Sequence, residues 1–186
     1  MEHLGTKMLE TERLLLRQLT IDDTETVYNN WTNDDEVTEY LTWPTHKDIS
    51  VTKNVLENWI KEYSKNDFYQ WAIVLKEINE PIGTISVVNK KDKTKMVEMG
   101  YCIGKQWWNK GITTEALSAI IKYFFEEVKV NRIQAFHDVR NVSSGKVMMK
   151  CGMKFEGLLR QAGLNNSGIS DHALYAIILE DYSKKD

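Results

Sequence analysis

The stretch that decides the fold is Gln106-Trp107-Trp108-Asn109-Lys110-Gly111-Ile112-Thr113-Thr114-Glu115-Ala116. It follows an apolar, strand-like segment that ends at Ile103 and leads into residues whose apolar side chains recur at helical spacing. A loop between a strand and a helix points unpaired backbone N–H groups and the positive helix end at one place, an arrangement that binds pyrophosphate. Gly111 allows close approach of the backbone, and Thr113 and Thr114 add hydroxyl donors. For this stretch alone, an ordinary strand–helix turn is an equal alternative.

Length and composition predict one globular domain in a reduced compartment. The chain has 186 residues, of which 42% are hydrophobic, and this is enough to bury a core. The net charge of −3 does not favour binding to nucleic acid. Cys102 and Cys151 are too few for a disulfide scaffold, so we expect a cytoplasmic protein. Neither a signal peptide nor an apolar run of membrane-spanning length is recognisable. We predict a mobile lead-in over residues 1–9 and a single domain over residues 10–182.

Hydrophobic periodicity predicts a mixed α/β chain around the deciding stretch. The segments with strand character are 13–17, 69–75, 82–88, 96–103, 131–137, 155–160 and 173–179. The segments with helical character begin at 22 and then cover 49–63, 112–128 and 141–151. The predicted buried stripe of the second helix consists of Val51, Val55, Trp59 and Ile60. Gly83 is predicted to mark a bulge or a close approach of two backbones.

The segments on either side of the deciding stretch complete a family pattern. The signature [Q/R]-x-x-G-x-[G/A] falls on Gln106–Gly111, and Thr114-Glu115-Ala116 follows it. Downstream, Asn141–Ser144 matches N-x-x-[SA], and Lys150–Met153 matches K-x-G-[FM]. By these motifs, their order and their spacing, the chain resembles the GNAT superfamily of acetyl-CoA-dependent N-acetyltransferases. The resemblance runs from residue 10 to about residue 179 and is greatest to the ribosomal-protein N-terminal (Rim-type) branch.

The resemblance implies a fold and a cofactor. The expected α/β (α+β) fold is a mixed seven-stranded sheet, flanked by about four helices and splayed between strands 97–103 and 131–137. Acetyl-CoA is the implied co-substrate, and no metal is expected. Backbone groups of Cys102 and Ile103 are expected to pair with the pantetheine arm, with Asn141 bonding its amides and Ser144 near the sulfur. The implied cofactor-binding residues are Cys102, Ile103, Gln106, Asn109, Lys110, Gly111, Ile112, Thr113, Thr114, Asn141, Ser144 and Lys146.

Two features qualify the cofactor assignment. The first glycine of the signature is Asn109 in this chain, and because asparagine tolerates a positive φ the loop can still form. Lys146 and Lys150 are expected to reach the phosphates of the cofactor, although surface lysines on a helix are as often merely solvated.

Acetyl transfer to an amine needs a deprotonated nucleophile, a polarised thioester carbonyl and a proton for the leaving thiolate. Family members can place a catalytic glutamate at the strand position of Glu98, so we expect Glu98 to act as the base, directly or through water. The alternative is a structural glutamate paired across the sheet. A backbone N–H near Ile103 is the expected oxyanion donor.

The proton donor is less apparent from the motifs. Many GNAT enzymes carry a tyrosine in the helix after the N-x-x-[SA] element, but this chain has Met148 there. We expect Ser144 to replace it, although a serine at a helix N-terminus needs no function and a thiolate can leave without a dedicated acid. Cys102 is not expected to form an acyl intermediate, since no basic residue near it in the sequence lowers its pKa.

The best indication of the acceptor is an acidic and aromatic stretch over residues 22–43. Its carboxylates would attract a cationic amine, and Trp31, Tyr40 or Trp43 would stack on it; a solvated helix face over a core is the equal alternative. The predicted function is an N-acetyltransferase that transfers directly within a ternary complex, and the Rim-type resemblance favours a protein N-terminal amine as the acceptor. A polyamine, an amino acid, an aminoglycoside and a non-catalytic CoA-binding module are the alternatives. An exposed final-strand edge would permit a homodimer.

Overall fold

The computed structural model of the protein describes residues 1–184, which form one mixed sheet with helices on both faces. The strands are β1 (Leu9–Glu10), β2 (Leu14–Arg17), β3 (Gln70–Leu75), β4 (Glu80–Lys91), β5 (Met96–Ile103), β6 (Arg132–Asp138), β7 (Lys154–Asn165) and β8 (Gly168–Ile178). Their order in the sheet is β1-β2-β3-β4-β5-β6-β8-β7. All neighbouring pairs are antiparallel except β5 and β6, which are parallel.

The helices cover the two faces of the sheet and create two apolar cores. They are α1 (Thr24–Val27), α2 (Asp35–Thr38), α3 (Ile49–Glu62), α4 (Ile112–Tyr123), α5 (Val142–Lys150) and α6 (Leu179–Ser183). The larger core lies under α4 and α5 and includes Ala116, Leu117 and Ile120, which fall on the predicted face of α4. The smaller core lies under α1 and α3. None of the helices in the described part of the chain is long and apolar enough to cross a membrane.

The sheet is splayed between β5 and β6, as the resemblance predicts. The two strands pair only from Met96 with Arg132 to Met99 with Ala135. Beyond this point, residues 100–103 of β5 keep their partners on β4 but have none on β6. A β-strand edge with unpaired backbone groups is a template for another extended chain.

The sequence predicts seven strands and about four helices, whereas the described residues form eight strands and six α-helices. The additional strand is β1, which pairs with Leu15 and Leu16 in a segment that has no strand pattern of its own. Before it, the Gly5 N–H donates to the Asn66 carbonyl at 2.7 Å, and the Thr6 hydroxyl donates to the Phe68 carbonyl at 3.0 Å. The division into a mobile lead-in and one domain stays a prediction.

Helix α3 begins as predicted, but the face that it buries only partly matches the predicted stripe. The Asp48 side chain accepts from the Ser50 N–H, which caps the helix at the expected place. Thr52 and Leu56 are the buried side chains, whereas Val51 and Ile60 of the predicted stripe are 41% and 37% exposed. A buried threonine has no hydrophobic signal, and this is why periodicity alone missed Thr52. Val55 and Trp59 of the predicted stripe are half-buried, and Trp59 packs against the smaller core.

Candidate functional site

The deciding stretch forms a loop whose backbone is left-handed at two positions. Asn109 has a φ of 60° and Gly111 a φ of 74°, which confirms that asparagine can take the place of the first signature glycine. Helix α4 begins at Ile112 without a side-chain cap, so the N–H groups of its first turn are open to a ligand. These N–H groups and the helix dipole attract an anion.

An ion-pair cluster holds this loop against β2. The Glu115 carboxylate accepts from the Thr11 hydroxyl at 2.6 Å and from the Arg13 Nε at 2.7 Å. Arg13 also donates to the Lys110 carbonyl at 3.0 Å. Burial opposes ionisation of Glu115, but the hydrogen bonds from Thr11 and Arg13 lower its pKa, so the carboxylate stays charged. Two segments that are far apart in the sequence thus fix the loop together.

A cavity of about 440 Å³, here called the loop cavity, opens between this loop and α5. The predicted cofactor residues that line it are Cys102, Ile103, Asn109, Lys110, Gly111, Ile112, Thr113, Thr114, Asn141, Ser144 and Lys146. Gln106 is exposed and does not line the cavity. Lys150 lines it as well, so three lysines and the open N–H groups of α4 face the same space. This set of donors suits a ligand that carries phosphate groups.

A second cavity of about 640 Å³, here called the aromatic cavity, lies on the α1–α3 side of the splay. Its aromatic lining consists of Trp31, Tyr40, Trp43, Trp59, Tyr101 and Phe136. Trp31, Tyr40 and Trp43 of the acidic and aromatic stretch are therefore brought together, as that stretch suggested.

The two cavities share one part of their walls. Both are lined by Tyr40, Leu41, Tyr101, Cys102, Asn141 and Ser144, at the point where β5 leaves β6. The Ser144 hydroxyl donates to the Tyr101 hydroxyl at 3.0 Å, and the Tyr101 hydroxyl donates to the Ser144 carbonyl at 2.9 Å. Burial raises the pKa of Tyr101, which keeps its proton on the phenol oxygen. Sequence analysis did not identify Tyr101 as a site residue. The only signal for it is the alternation of side chains along β5, which places Tyr101 on the face towards α4.

Glu98 lines the aromatic cavity and is half-buried. Its Oε2 accepts from the Gln134 side-chain amide across the parallel pair at 2.9 Å. The carboxylate is therefore both paired across the sheet and accessible from the cavity. This position fits the expected base as well as the alternative of a glutamate paired across the sheet. No lysine or arginine is among the described residues that line this cavity.

Cys102 is unsuited to act as a nucleophile. Burial raises the pKa of its thiol to about 12, so the thiolate is not populated at neutral pH. Cys102 lies in the part of β5 that has no partner on β6. Close packing explains why residue 83, opposite Ile103, is a glycine, since a Cβ there would lie 2.8 Å from the Ile103 Cα.

The acidic residues of the stretch over residues 22–43 do not line the aromatic cavity. Asp23 pairs with Arg17, Asp35 with Lys47, and Glu36 with Lys105. Glu36 and Glu39 line the loop cavity instead. The expectation that these carboxylates line the cavity of the amine is wrong, because none of them is in its described lining and three of the seven pair with neighbouring cations.

Two histidines differ in the hydrogen bonds that their ring nitrogens make. His46 lines the aromatic cavity, and its Nδ1 lies 2.7 Å from the Thr52 hydroxyl, which lies 3.0 Å from the Thr32 hydroxyl. Burial lowers the pKa of His46, so its imidazole is neutral at pH 7. The His137 Nδ1 donates to the Asp138 carbonyl, while its buried Nε2 has no hydrogen-bond partner within residues 1–184.

The turn between β7 and β8 fastens the loop that covers the aromatic cavity. The side-chain amide of Asn166 donates to the carbonyls of Thr38 and Trp43, both at 2.8 Å. Its backbone N–H donates to the Leu41 carbonyl at 3.1 Å. One residue of the turn thus bonds three carbonyls of the α2–α3 loop, here defined as residues 38–48 from the last residue of α2 to the residue before α3. No sequence motif identifies Asn166 in this role.

Comparison with known proteins assigns the family. The family described as an acetyltransferase (GNAT) domain matches residues 13–154 of the chain. The chain belongs to the GNAT acetyltransferase family. It is 31% identical to the N-acetyltransferase YoaA of Bacillus subtilis over 92% of this chain and 96% of that protein. It is 28% identical to the ribosomal-protein-serine acetyltransferase of Escherichia coli over 75% of this chain and 78% of that protein.

A solved relative supports the same assignment. The GNAT-family acetyltransferase of Bacillus anthracis superposes with a TM-score of 0.82 at 28% identity, over 94% of this chain and 99% of that chain. The protein is therefore an acyltransferase with the mixed α/β fold of this family, and GNAT enzymes use acetyl-CoA. The loop cavity fits that co-substrate because it combines an anion-binding helix end, three lysines and an unpaired strand edge.

Proposed function

We propose that the protein acetylates a primary amine by direct transfer between two bound substrates. The observation that supports this most strongly is the wall shared by the loop cavity and the aromatic cavity. A donor held in one cavity and an acceptor held in the other would meet at Tyr101, Cys102, Asn141 and Ser144. Holding two reactants together in this way is a major source of rate enhancement.

The loop cavity would hold acetyl-CoA, which supplies the acetyl group as a thioester. The first-turn N–H groups of α4 and the backbone of Asn109 and Gly111 would bind the diphosphate. The free edge of β5 at Cys102 and Ile103 would pair with the pantetheine amides, and Asn141 would bond them from the opposite side. Lys110, Lys146 and Lys150 face the same cavity and would contribute positive charge.

In the aromatic cavity, Glu98 would accept the proton of the incoming ammonium, directly or through water. The Gln134 amide fixes one carboxylate oxygen and leaves the other for this task. On the opposite side, Ser144 and Tyr101 would place a hydroxyl proton near the leaving sulfur. A backbone N–H near Ile103 would stabilise the negative charge that develops on the carbonyl oxygen.

The proposed acceptor is a primary amine, either of a protein N-terminus or of a small molecule. The similarity to a ribosomal-protein-serine acetyltransferase favours a protein N-terminal amine. The α2–α3 loop, which the turn at Asn166 fastens over the aromatic cavity, favours a small-molecule amine. No nucleic acid or membrane is part of the proposal, and cytoplasmic location and a homodimer stay predictions. The final strand, β8, pairs with both β6 and β7, so the expectation that its edge is exposed is wrong.

The first experiment is a calorimetric titration with acetyl-CoA, followed in the same sample by thiol detection after addition of amines and N-terminal peptides. The proposal predicts binding followed by CoA release with at least one acceptor. Binding without release from any acceptor would instead support a non-catalytic CoA-binding module. Absence of binding would contradict the assignment of the loop cavity.

A further inference from the structure

The aromatic cavity contains one carboxylate without a cationic partner. Glu98 is bonded only to the neutral amide of Gln134. The other carboxylate in the lining is Asp138, whose side chain is 1% exposed and pairs with Arg140 at 2.5 Å. Hydrogen bonds from Arg140, with that from Asn165, hold the pKa of Asp138 well below its usual range. The described lining therefore offers a single site of uncompensated negative charge.

The histidines in this lining do not provide a second partner for a cation. His46 is neutral at pH 7, and its Nδ1 is held by Thr52. A neutral imidazole can accept or donate a hydrogen bond, but it does not stabilise a cation as a carboxylate does. The far end of the cavity, between α1 and α3, is lined by the uncharged side chains Val27, Trp31, Val55, Leu56 and Trp59, together with Thr32 and Thr52, whose hydroxyls lie 3.0 Å apart.

The cavity is covered on the side away from the sheet. The α2–α3 loop contributes Tyr40, Leu41 and Trp43, and the turn at Asn166 bonds this loop at three carbonyls. Side chains of β7 complete the wall. A long polypeptide would have to displace these hydrogen bonds, whereas a compact acceptor of a size that suits about 640 Å³ would not.

We infer that the acceptor is a compact monoamine, whose single ammonium lies at Glu98 and whose uncharged apolar body lies among the aromatic side chains. This inference rests on the proposed function and names the substrate class of that site. In the transfer, the ammonium loses one proton to Glu98, and its nitrogen bonds to the acetyl carbon. The carbon–sulfur bond of acetyl-CoA breaks and the nitrogen gives up its second proton. The products are the N-acetyl amide and CoA with a protonated sulfur, and one proton is released overall.

The inference excludes acceptors with a second charge at the far end. A distal ammonium would lose its hydration among apolar side chains without gaining an anionic partner, which is costly. Polyamines and aminoglycosides carry such charges. An N-terminal peptide is longer and would have to displace the hydrogen bonds of Asn166 to the loop that covers the cavity.

The test compares acceptors that differ in one feature. Initial rates are measured with hexylamine, 1,6-diaminohexane and an uncharged-side-chain tetrapeptide, all with acetyl-CoA and the unaltered protein. We expect kcat/KM for hexylamine to exceed that for the diamine and the peptide by about tenfold or more, since one unpaired buried charge costs at least that factor. Equal or faster acetylation of the diamine or peptide would overturn the inference and leave the proposed function intact. No CoA release with any acceptor would overturn both.

A charge introduced at the far end provides a second test. Val55 lines the cavity on α3, whereas Val51 is 41% exposed on the same helix and does not line it. Val55→Asp should improve diaminohexane relative to hexylamine by about tenfold, because the distal ammonium gains a partner. Val51→Asp, the matched control, should leave the ratio unchanged. Equal ratios in both variants, with both proteins folded by circular dichroism, would contradict the placement of the amine.

Discussion

The loop cavity and the aromatic cavity meet at one wall but are assembled differently. The loop cavity is formed mainly by two short runs of chain, residues 101–114 and 140–150, and its chief donors are backbone N–H groups. The aromatic cavity draws side chains from α1, α3, the α2–α3 loop, six strands and α5. Backbone recognition depends on loop conformation, whereas side-chain recognition depends on every residue in the wall.

This difference separates the chemistry from the choice of substrate. A loop held by Glu115 and Arg13 can bind the same co-substrate whatever lines the other cavity. Changes in the aromatic cavity would alter the acceptor without disturbing the co-substrate. Changes at the shared wall should affect the transfer itself. Each prediction below tests one of these assignments.

The largest effect is expected from Glu98→Gln. Loss of the base should lower kcat by about 100-fold or more while the Kd for acetyl-CoA stays unchanged, because the carboxylate faces the other cavity. Steady-state rates and calorimetry measure the two quantities. Glu156→Gln, which alters an exposed carboxylate paired with Arg132, is the control. Unaltered turnover of Glu98→Gln across the pH range would remove Glu98 from the mechanism.

Gly111→Val should weaken acetyl-CoA binding by about tenfold, since a β-branched residue at a φ of 74° costs roughly 1–2 kcal/mol in the loop. The Kd for hexylamine should not change. Gly157→Val is the matched control, because a Cβ at Gly157 meets no atom within 4 Å and its φ is not positive. Calorimetric titration of both variants with acetyl-CoA and with hexylamine measures these Kd values. A loss of hexylamine binding in Gly111→Val would show that the cavities are not separable.

Tyr101→Phe removes both hydrogen bonds of the Tyr101 hydroxyl with Ser144 on the shared wall. It should lower kcat by about fivefold, or about 1 kcal/mol, with little change in either Kd. Ser144→Ala should have a similar effect, and the double variant should lose no more than either alone if the two hydroxyls act together. Tyr175→Phe removes a hydroxyl outside both cavities and is the control. Additive losses would show that the hydroxyls act independently.

Asn166→Ala should raise KM for the amine by about threefold and lower the free energy of unfolding by about 1 kcal/mol, because two side-chain hydrogen bonds to the α2–α3 loop are lost. Binding of acetyl-CoA should be unaffected. Asn54→Ala, on the exposed surface of α3, serves as the control. A change in the acetyl-CoA Kd alone would mean that this loop covers the other cavity.

The smallest effect concerns pH. Burial lowers the pKa of His46, so the unfolded chain binds more protons than the folded one below the ordinary histidine value of about 6.5. The stability contributed by neutral His46 is present above that pH and is lost as the pH falls through it. Urea unfolding at about pH 7 and pH 5.5 should show this loss, and His46→Gln should reduce it. An identical loss in the variant would assign it to other groups.

How much the sequence could predict differs between the cavities for a physical reason. Local motifs determine backbone conformation. The sequence therefore predicted the loop at Asn109 and Gly111, the start of α4 and the cap at Asn141. The splay of the sheet followed from the family resemblance. Gly83 was predicted from its place in a strand, and the near contact with Ile103 confirms it.

The aromatic cavity could not be predicted in the same way. The ion pairs of Asp23 and Asp35 depend on tertiary contacts, and the sequence could not show that the acidic side chains of this stretch lie outside the aromatic cavity. Thr52 is buried because it bonds His46 and Thr32, against its hydropathy. Asn166 acts across more than 100 positions of sequence, and nothing local marks it.

The measurement that tests direct transfer most directly is a matrix of initial rates in which acetyl-CoA and the amine are both varied. Two substrates that meet across the shared wall predict double-reciprocal lines that intersect, and Cys102→Ala that retains turnover. Parallel lines, together with an acetyl group on Cys102 in the mass spectrum, would reveal a covalent intermediate and contradict the account.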